Sequence, residues 1–193
     1  VRADKARNRD AVLAAAGRLL DDAADPDDVS MDAVAAAAGV GKGTVFRGFG
    51  DRRGLLRALY DERAARAFGP VGDEPAATDG EPAEIALDLL LRTWRFKEEN
   101  RVLALALERD GSGSPYRNGS YDRLHAHLAA LVARARGTAD AADFLAHALL
   151  AAVRSDLVEH LHHHPGTDPR TGLRALVRSI FPASDDSAGE PPS

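Results

Sequence analysis

Lys42, Gly43, Thr44, Phe46 and Arg47 fall within little more than one helical turn, and of all the side chains in this 193-residue sequence they are the best placed to carry out chemistry. A short helix with a cation, a hydroxyl and little bulk near its start suits the DNA major groove, where Arg and Lys bond guanine edges. Arg52 and Arg53 open a further helix a few residues on. Helix N-termini favour anions, so two cations there cost stability unless an anion lies close; a phosphate would serve. Other chemistries lack their residues. There is no Ser/His/Asp order, no phosphate-binding glycine loop and no HExxH motif, so an enzyme is disfavoured. Cysteine is absent, which excludes disulfides and thiolate metal sites and fits a reducing cytoplasm. His160, His162, His163 and His164 invite a metal reading, because His160 and His164 are one turn apart. They precede Pro165-Gly166 at a helix end, where imidazoles meet the C-terminal dipole favourably, and that reading is preferred. No metal or cofactor is expected.

The elements that must position Lys42 to Arg47 are two short helices and a tight turn. Ser30 is a good N-cap for the first helix, since its hydroxyl can accept an N–H one turn in. Val29 and Val34 occupy the two positions of a hydrophobic staple. Ala33, Val34, Ala37 and Ala38 offer a small apolar face. Gly39 should stop the helix, being free to take positive φ. Val40 then plugs the angle and Gly41 starts the second helix. Upstream, Arg2, Lys5, Arg7 and Arg9 read as a basic arm leading into a helix with Val12, Leu13, Ala16, Leu19 and Leu20 on one face. Downstream, Leu55, Leu56, Leu59 and Tyr60 turn inward from a helix beginning near Arg52.

Over roughly its first sixty residues the chain resembles the TetR family of bacterial one-component transcriptional regulators. The resemblance rests on Ala14-Ala-Ala-Gly-Arg-Leu-Leu20, on Ser30 through Phe49, and on Arg52 with Leu55-Leu56. Its most specific part is Ala-Gly-Val-Gly-Lys-Gly-Thr-Val-Phe-Arg-Gly-Phe, residues 38–49. The resemblance implies that Ser30, Lys42, Gly43, Thr44, Phe46, Arg47 and Arg52 lie at or near DNA. Three positions depart from the family. Gly41 stands where Ser or Thr is frequent, Phe46 where Tyr is common, and Arg52 where Lys is usual. Arg52 keeps the charge and adds fork geometry.

Alanine and leucine dominate a composition with few aromatics, and no alternating β-branched stretch suggests a sheet, so the expected fold class is all-α with about nine helices. The net charge of −5 argues superficially against nucleic acid. Its distribution answers that objection: residues 1–66 carry 12 Arg or Lys against 11 Asp or Glu, and residues 67–193 carry 13 against 19. The first part's acids cluster in the loop of Asp21, Asp22, Asp25, Asp27 and Asp28, away from the cationic helix starts. A positive face on an acidic protein is compatible with salt-dependent DNA binding. With no leader and no long apolar run, the chain reads as soluble and cytoplasmic, with no membrane partner.

The expected organisation is a helix-turn-helix head over residues 1–50, a larger helical ligand-binding and dimerisation body over 51–183, and an unstructured tail over 184–193. Residues 52–68 form the connecting helix and 71–80 a loop. Pro82 fits the first position of a helix surrounded by Ile85, Leu87, Leu89, Leu90, Leu91, Trp94 and Phe96. Asn100 marks a break before a short helix over 101–109. Gly137 closes the next helix, Thr138 caps one running to Leu161, and Asp168-Pro169 starts the last. Trp94, Phe96, Tyr121, His125, Phe144 and His147 are the candidates for a pocket holding an apolar or amphipathic small-molecule effector. Leu150, Leu157, Leu161, Leu173, Leu176, Val177 and Ile180 are the candidate dimer surface. A two-fold homodimer would place two reading helices in successive major grooves, about 34–36 Å apart, on a near-palindromic operator in double-stranded DNA. The family resemblance makes a repressor the expected role. A helical small-molecule binding or carrier protein without DNA binding is the alternative.

Overall fold

The computed structural model describes residues 2–68, 80–109 and 119–182. Among these residues all regular structure is helical, as expected. The helices are α1 (Arg2–Asp21), α2 (Met31–Ala38), α3 (Lys42–Phe49), α4 (Arg52–Phe68), α5 (Pro82–Glu99), α6 (Arg101–Arg109), α7 (Gly119–Arg136), α8 (Ala142–Ala151), α9 (Ser155–His162) and α10 (Pro169–Ile180), with a 3-10 turn at Pro26–Asp28. The expected loop over 71–80, apart from Gly80, and the tail over 184–193 lie outside the described residues. No helix among those described is long and apolar enough to cross a membrane.

The chain divides into two compact units. The first holds α1–α4, the end of α5 from Trp94, α6 and α9; the second holds α5 up to Thr93, α7, α8 and α10.

In the first unit Val12, Leu13, Ala15, Ala16 and Leu20 of α1 bury against Val34 and Ala35 of α2, Val45 of α3, Leu55, Leu56 and Leu59 of α4, and Leu103 and Ala106 of α6. Two sequence expectations shift here. Arg2, Lys5, Arg7 and Arg9 belong to α1 itself and are no separate arm. Nothing in residues 2–11 breaks a helix, and Ala, Arg and Lys all favour one. In α2 the inward face is Met31, Val34 and Ala35, while Ala37 is exposed. In a run of alanines the bulkier Met31 and Val34 decide the rotation, because they remove more apolar area from water.

In the second unit α7 lies along α8, and Leu128, Leu131, Val132, Ala146, Leu149, Val153, Leu173 and Val177 are buried. The single helix expected from Thr138 to Leu161 is instead two, α8 and α9, separated at Ala152–Arg154. Thr138 caps a turn, its Oγ1 accepting the Asp140 N–H at 3.1 Å; α8 begins after Ala141, an alanine held at φ 60°. Gly137 (φ 66°) ends α7 as expected.

Asp168 caps α10, its carboxylate accepting the Arg170 and Thr171 N–H groups at 3.1 Å each and the Thr171 hydroxyl at 2.5 Å. The Thr171 hydroxyl bond, with the backbone bonds behind it, holds the Asp168 carboxyl below the usual carboxylate range. A carboxylate depressed on folding contributes stability above its unfolded pKa, and that contribution is lost as pH falls through the folded pKa. Asp168→Ala is therefore expected to lower the melting temperature at neutral pH, with the gap to the parent chain closing in acid. Melting curves recorded from pH 7 down to pH 2 check this.

Candidate nucleic-acid interface

The turn between α2 and α3 is built from local bonds. Ser30 Oγ accepts the Ala33 N–H at 3.1 Å and starts α2. Gly39 adopts φ 67°, ψ 29° and stops it. The Val40 N–H reaches back to the Ala35 carbonyl (3.1 Å) and the Gly39 N–H to that of Ala36 (3.2 Å), the paired closing bonds of a Schellman motif. Gly41 then enters α3 in extended conformation (φ −68°, ψ 143°) with no side-chain cap.

One side chain pins the eight-residue α3 to the unit: Val45 is fully buried. Lys42, Gly43, Phe46, Arg47 and Gly48 are exposed and Thr44 half-buried. A Cβ added at Gly41, Gly43 or Gly48 would meet nothing within 4 Å, so the helix is open on that side. Phe46 is 40 % exposed, unusual for so large an apolar ring on a helix with a core of its own. The Arg47 guanidinium lies 3.4 Å from Thr44 Oγ1, one turn back. Lys42 Nζ sits 2.7 and 2.9 Å from the two Asp32 carboxylate oxygens and 5.9 Å from the Phe46 ring centre. Both partners of this ion pair are more than half exposed, so it holds Lys42 weakly and an incoming anion can compete for it. Arg9 of α1 lies over the Phe49 ring at 4.8 Å and steadies the far end of α3.

Arg52 has a different place from the one its position suggested. Its Nε donates to the Val29 carbonyl at 3.2 Å and a second guanidinium N–H to the Pro26 carbonyl, with an Asp27 carboxylate oxygen at 3.6 Å. The anion that relieves the cation at this helix start is thus protein, and the fork ties α4 to the 3-10 turn. Arg53 beside it is exposed.

The six candidate pocket residues divide between the two units. Trp94 and Phe96 lie in the first unit; Tyr121, His125, Phe144 and His147 lie in the second. Phe96 packs edge-on against Tyr60 and Phe68 as core, with ring centres 5.2 Å apart in each pair. Trp94 is 7 % exposed and its Nε1 has no hydrogen-bond partner among the described residues. Phe144 is 72 % exposed, on the side of α8 away from buried Ala142, Ala146 and Leu149, so among the described residues it walls no enclosed pocket. Tyr121, His125 and His147 do meet, and Asp143, not among the residues expected there, joins them. Of the candidate dimer residues, Leu150, Leu173, Val177 and Ile180 are buried within the single chain, where they complete its own core. Leu157, Leu161 and Leu176 remain partly exposed. In the histidine run, His163 Nε2 lies 3.1 Å from Glu159 Oε1, and Glu159 also accepts Arg101 Nη1 at 2.7 Å. Burial raises the Glu159 pKa, but the Arg101 and His163 bonds outweigh it and hold the carboxyl below its usual value.

Residues 12–59, from the buried half of α1 to Leu59 of α4, match the family model described as "Bacterial regulatory proteins, tetR family". Over these residues the chain is a TetR-family N-terminal domain. The match spans the helices that build and anchor the TetR-type turn. Among curated proteins, the chain is 37 % identical over 95 residues to two described as uncharacterized HTH-type transcriptional regulators, MT1294 and Rv1255c, from two strains of Mycobacterium tuberculosis. That alignment takes in 49 % of this chain and 46 % of each relative, so the chain spans about half the length of the curated relatives it matches. Among solved structures, the TetR transcriptional regulator SCO0520 from Streptomyces coelicolor aligns over 91 % of this chain and 99 % of its own, at 24 % identity and a TM-score of 0.40.

Proposed function

We propose that the protein is a DNA-binding transcriptional regulator, a repressor that binds a palindromic operator as a homodimer and is released by a small-molecule effector. The observation that carries the proposal is the outer face of α3: Lys42, Gly43, Phe46 and Arg47 are exposed on a helix whose one fully buried side chain is Val45. Such a face has no function in a carrier protein, where the turn would serve packing alone. Lys42, Thr44 and Arg47 read base edges. Ser30 and the cations of α1 contact phosphates and position the head. Arg52 acts one step back, holding the 3-10 turn against α4. The exposed Asp32, paired with Lys42, competes with phosphate for it, which keeps nonspecific affinity low.

A repressor released by ligand requires that the ligand bind the non-operator geometry more tightly. The buried Trp94 Nε1–H supports an amphipathic effector able to offer it an acceptor. Exposed Phe144 and partly exposed Leu176 in the second unit, and separately the partly exposed Leu157 and Leu161 in the first, are consistent with apolar surface covered in a dimer.

Fluorescence anisotropy on genomic fragments, beginning with the DNA upstream of the chain's own gene, tests the reading. Two chains per duplex and an affinity that falls steeply with salt are expected. Arg47→Ala is expected to weaken specific binding by about 1–3 kcal/mol, roughly 5- to 150-fold, with a much smaller loss on random duplex. Equal losses on both would make Arg47 a phosphate contact. No binding to any fragment or to heparin at low salt would favour the carrier alternative.

A further inference from the structure

Where α7 lies along α8, the structure assigns a binding site for a divalent transition-metal ion to His125, Asp143 and His147. Among the described residues these three alone bring one ligand atom each within 4.8 Å of the others. His125 Nε2 is 3.5 Å from Asp143 Oδ1, His147 Nε2 is 3.9 Å from Asp143 Oδ2, and the two imidazole centres are 4.0 Å apart. Tetrahedral zinc, with ligand bonds of about 2.0–2.2 Å, needs donors about 3.3 Å apart. The observed spacings exceed that by a fraction of an ångström in the two closest pairs. Side-chain rotation covers the difference, since the Asp143 side chain is 84 % exposed and turns freely.

The donor set selects the class of ion. Two imidazoles and one carboxylate suit zinc, nickel, cobalt or copper, whereas calcium and magnesium demand an oxygen shell. Three protein ligands leave a coordination position for water or an exogenous donor. Asp143 and His147 are one turn apart on α8, so their side chains leave the same face. Tyr121 and His125 stand in the same relation on α7.

Tyr121 supplies the supporting contact that such sites use. Its hydroxyl lies 2.5 Å from His147 Nδ1. A bond there fixes the ring and directs Nε2 at the Asp143 carboxylate, as a partner on the far nitrogen orients a ligating histidine. His125 is held by the contact of its Nε2 with the Asp143 carbonyl at 3.1 Å, a bond that metal binding exchanges for coordination. The His125 side chain is 16 % exposed and that of His147 41 %, so the ion enters past Asp143 from solvent. The inference concerns α7 and α8 alone and does not depend on DNA binding.

Calorimetric titration of the full chain with Zn²⁺, and visible absorption with Co²⁺, test it. One ion per chain and the intense visible bands of four-coordinate cobalt are expected. His125→Gln with His147→Gln should weaken Zn²⁺ binding at least 100-fold, and Asp143→Asn, on an exposed side chain that disturbs no packing, about tenfold or more. Tyr121→Phe should weaken it about tenfold while leaving the stoichiometry at one. Replacing His160, His162, His163 and His164 together by Gln should leave the affinity unchanged. Absence of Zn²⁺ binding at 100 µM would overturn the assignment. So would tight binding that survives in His125→Gln/His147→Gln and disappears in the four-histidine variant.

Discussion

Gly54→Ala is expected to destabilise the TetR-type head by about 3 kcal/mol, and with it to abolish the proposed operator binding. A Cβ at this position would lie 2.0 Å from the Phe49 carbonyl oxygen and 3.2 Å from its carbon. The clash is with backbone and cannot be relieved by turning a side chain. Phe49 ends α3, Gly50 reverses the chain at φ 81°, ψ −73°, and α4 begins at Arg52. Asp51 closes the corner, its Oδ1 accepting the Gly54 N–H at 2.8 Å, and a new Cβ would come within 3.5 Å of that same atom. Accommodating the methyl means swinging α3 away from α4 and pulling Val45 out of the core. Gly43→Ala and Gly48→Ala are the controls. Their Cβ atoms meet nothing, and each should gain up to about 1 kcal/mol from helix propensity. Urea denaturation of the three variants separates the cases. A Gly54→Ala chain within 0.5 kcal/mol of the parent would mean that the corner yields.

This contrast also marks how far the sequence alone could be read. The signals it carried clearly are those whose physics closes within a few residues. The Ser30 cap, the Gly39 and Gly137 stops, Pro82 at the first position of α5 and the Asp168-Pro169 start all act inside one turn of chain. The role of Gly54 did not show, because it depends on a carbonyl belonging to the preceding helix. Arg52 misled for the same reason: a cation at a helix start needs an anion, but only the fold brings Pro26, Val29 and Asp27 to it. The boundary between α8 and α9 carries no glycine or proline, and an alanine at φ 60° precedes α8; neither propensity nor periodicity marks them.

For the candidate sites the limit was of another kind. The outer face of α3 could be anticipated because an eight-residue helix with a single β-branched anchor has few ways to lie. The pocket candidates had no such constraint, because aromatic residue type says nothing about which unit a side chain joins. Trp94 and Phe96 went to one unit and His125 and His147 to the other. Asp143 had no signal of its own, since an exposed acid in the first turn of α8 is ordinary until α7 sets His125 beside it. Aliphatic residues on α8 and α10 looked equally suited to core and partner, and the core of the second unit took Leu150, Leu173, Val177 and Ile180.

Arg63→Ala is the second substitution expected to have a large effect, a loss of about 3 kcal/mol in a chain that keeps its helix content. Arg63 of α4 donates from Nη1 to Asn100 Oδ1 at 2.7 Å and to Asp21 Oδ1 at 2.9 Å, and from Nη2 to Asp21 Oδ2 at 2.8 Å. Three elements of the first unit thus meet at one guanidinium: the end of α1, the middle of α4, and the joint between α5 and α6. Gly17 makes the room, since a Cβ there would stand 2.9 Å from Arg63 Nη2. The side chain is 19 % exposed and Asn100 is 9 % exposed, whereas the Asp21 side chain is 57 % exposed. That asymmetry decides where the cost lies. Losing the Asp21 pair frees a carboxylate that water can solvate, a loss of under about 1 kcal/mol. Losing the Asn100 bond strands a buried carbonyl oxygen whose amide is already held by the Phe96 carbonyl at 2.8 Å and cannot turn to find water. Asp21→Asn should therefore cost little and Arg63→Lys an intermediate amount, a single ammonium being unable to serve both partners. Equal losses in Asp21→Asn and Arg63→Ala under urea denaturation would place the stabilisation in the ion pair and overturn the assignment to Asn100. Because α4 also carries the corner that holds α3, the proposed operator affinity should fall in step with stability in Arg63→Ala, with the preference for operator over random duplex retained.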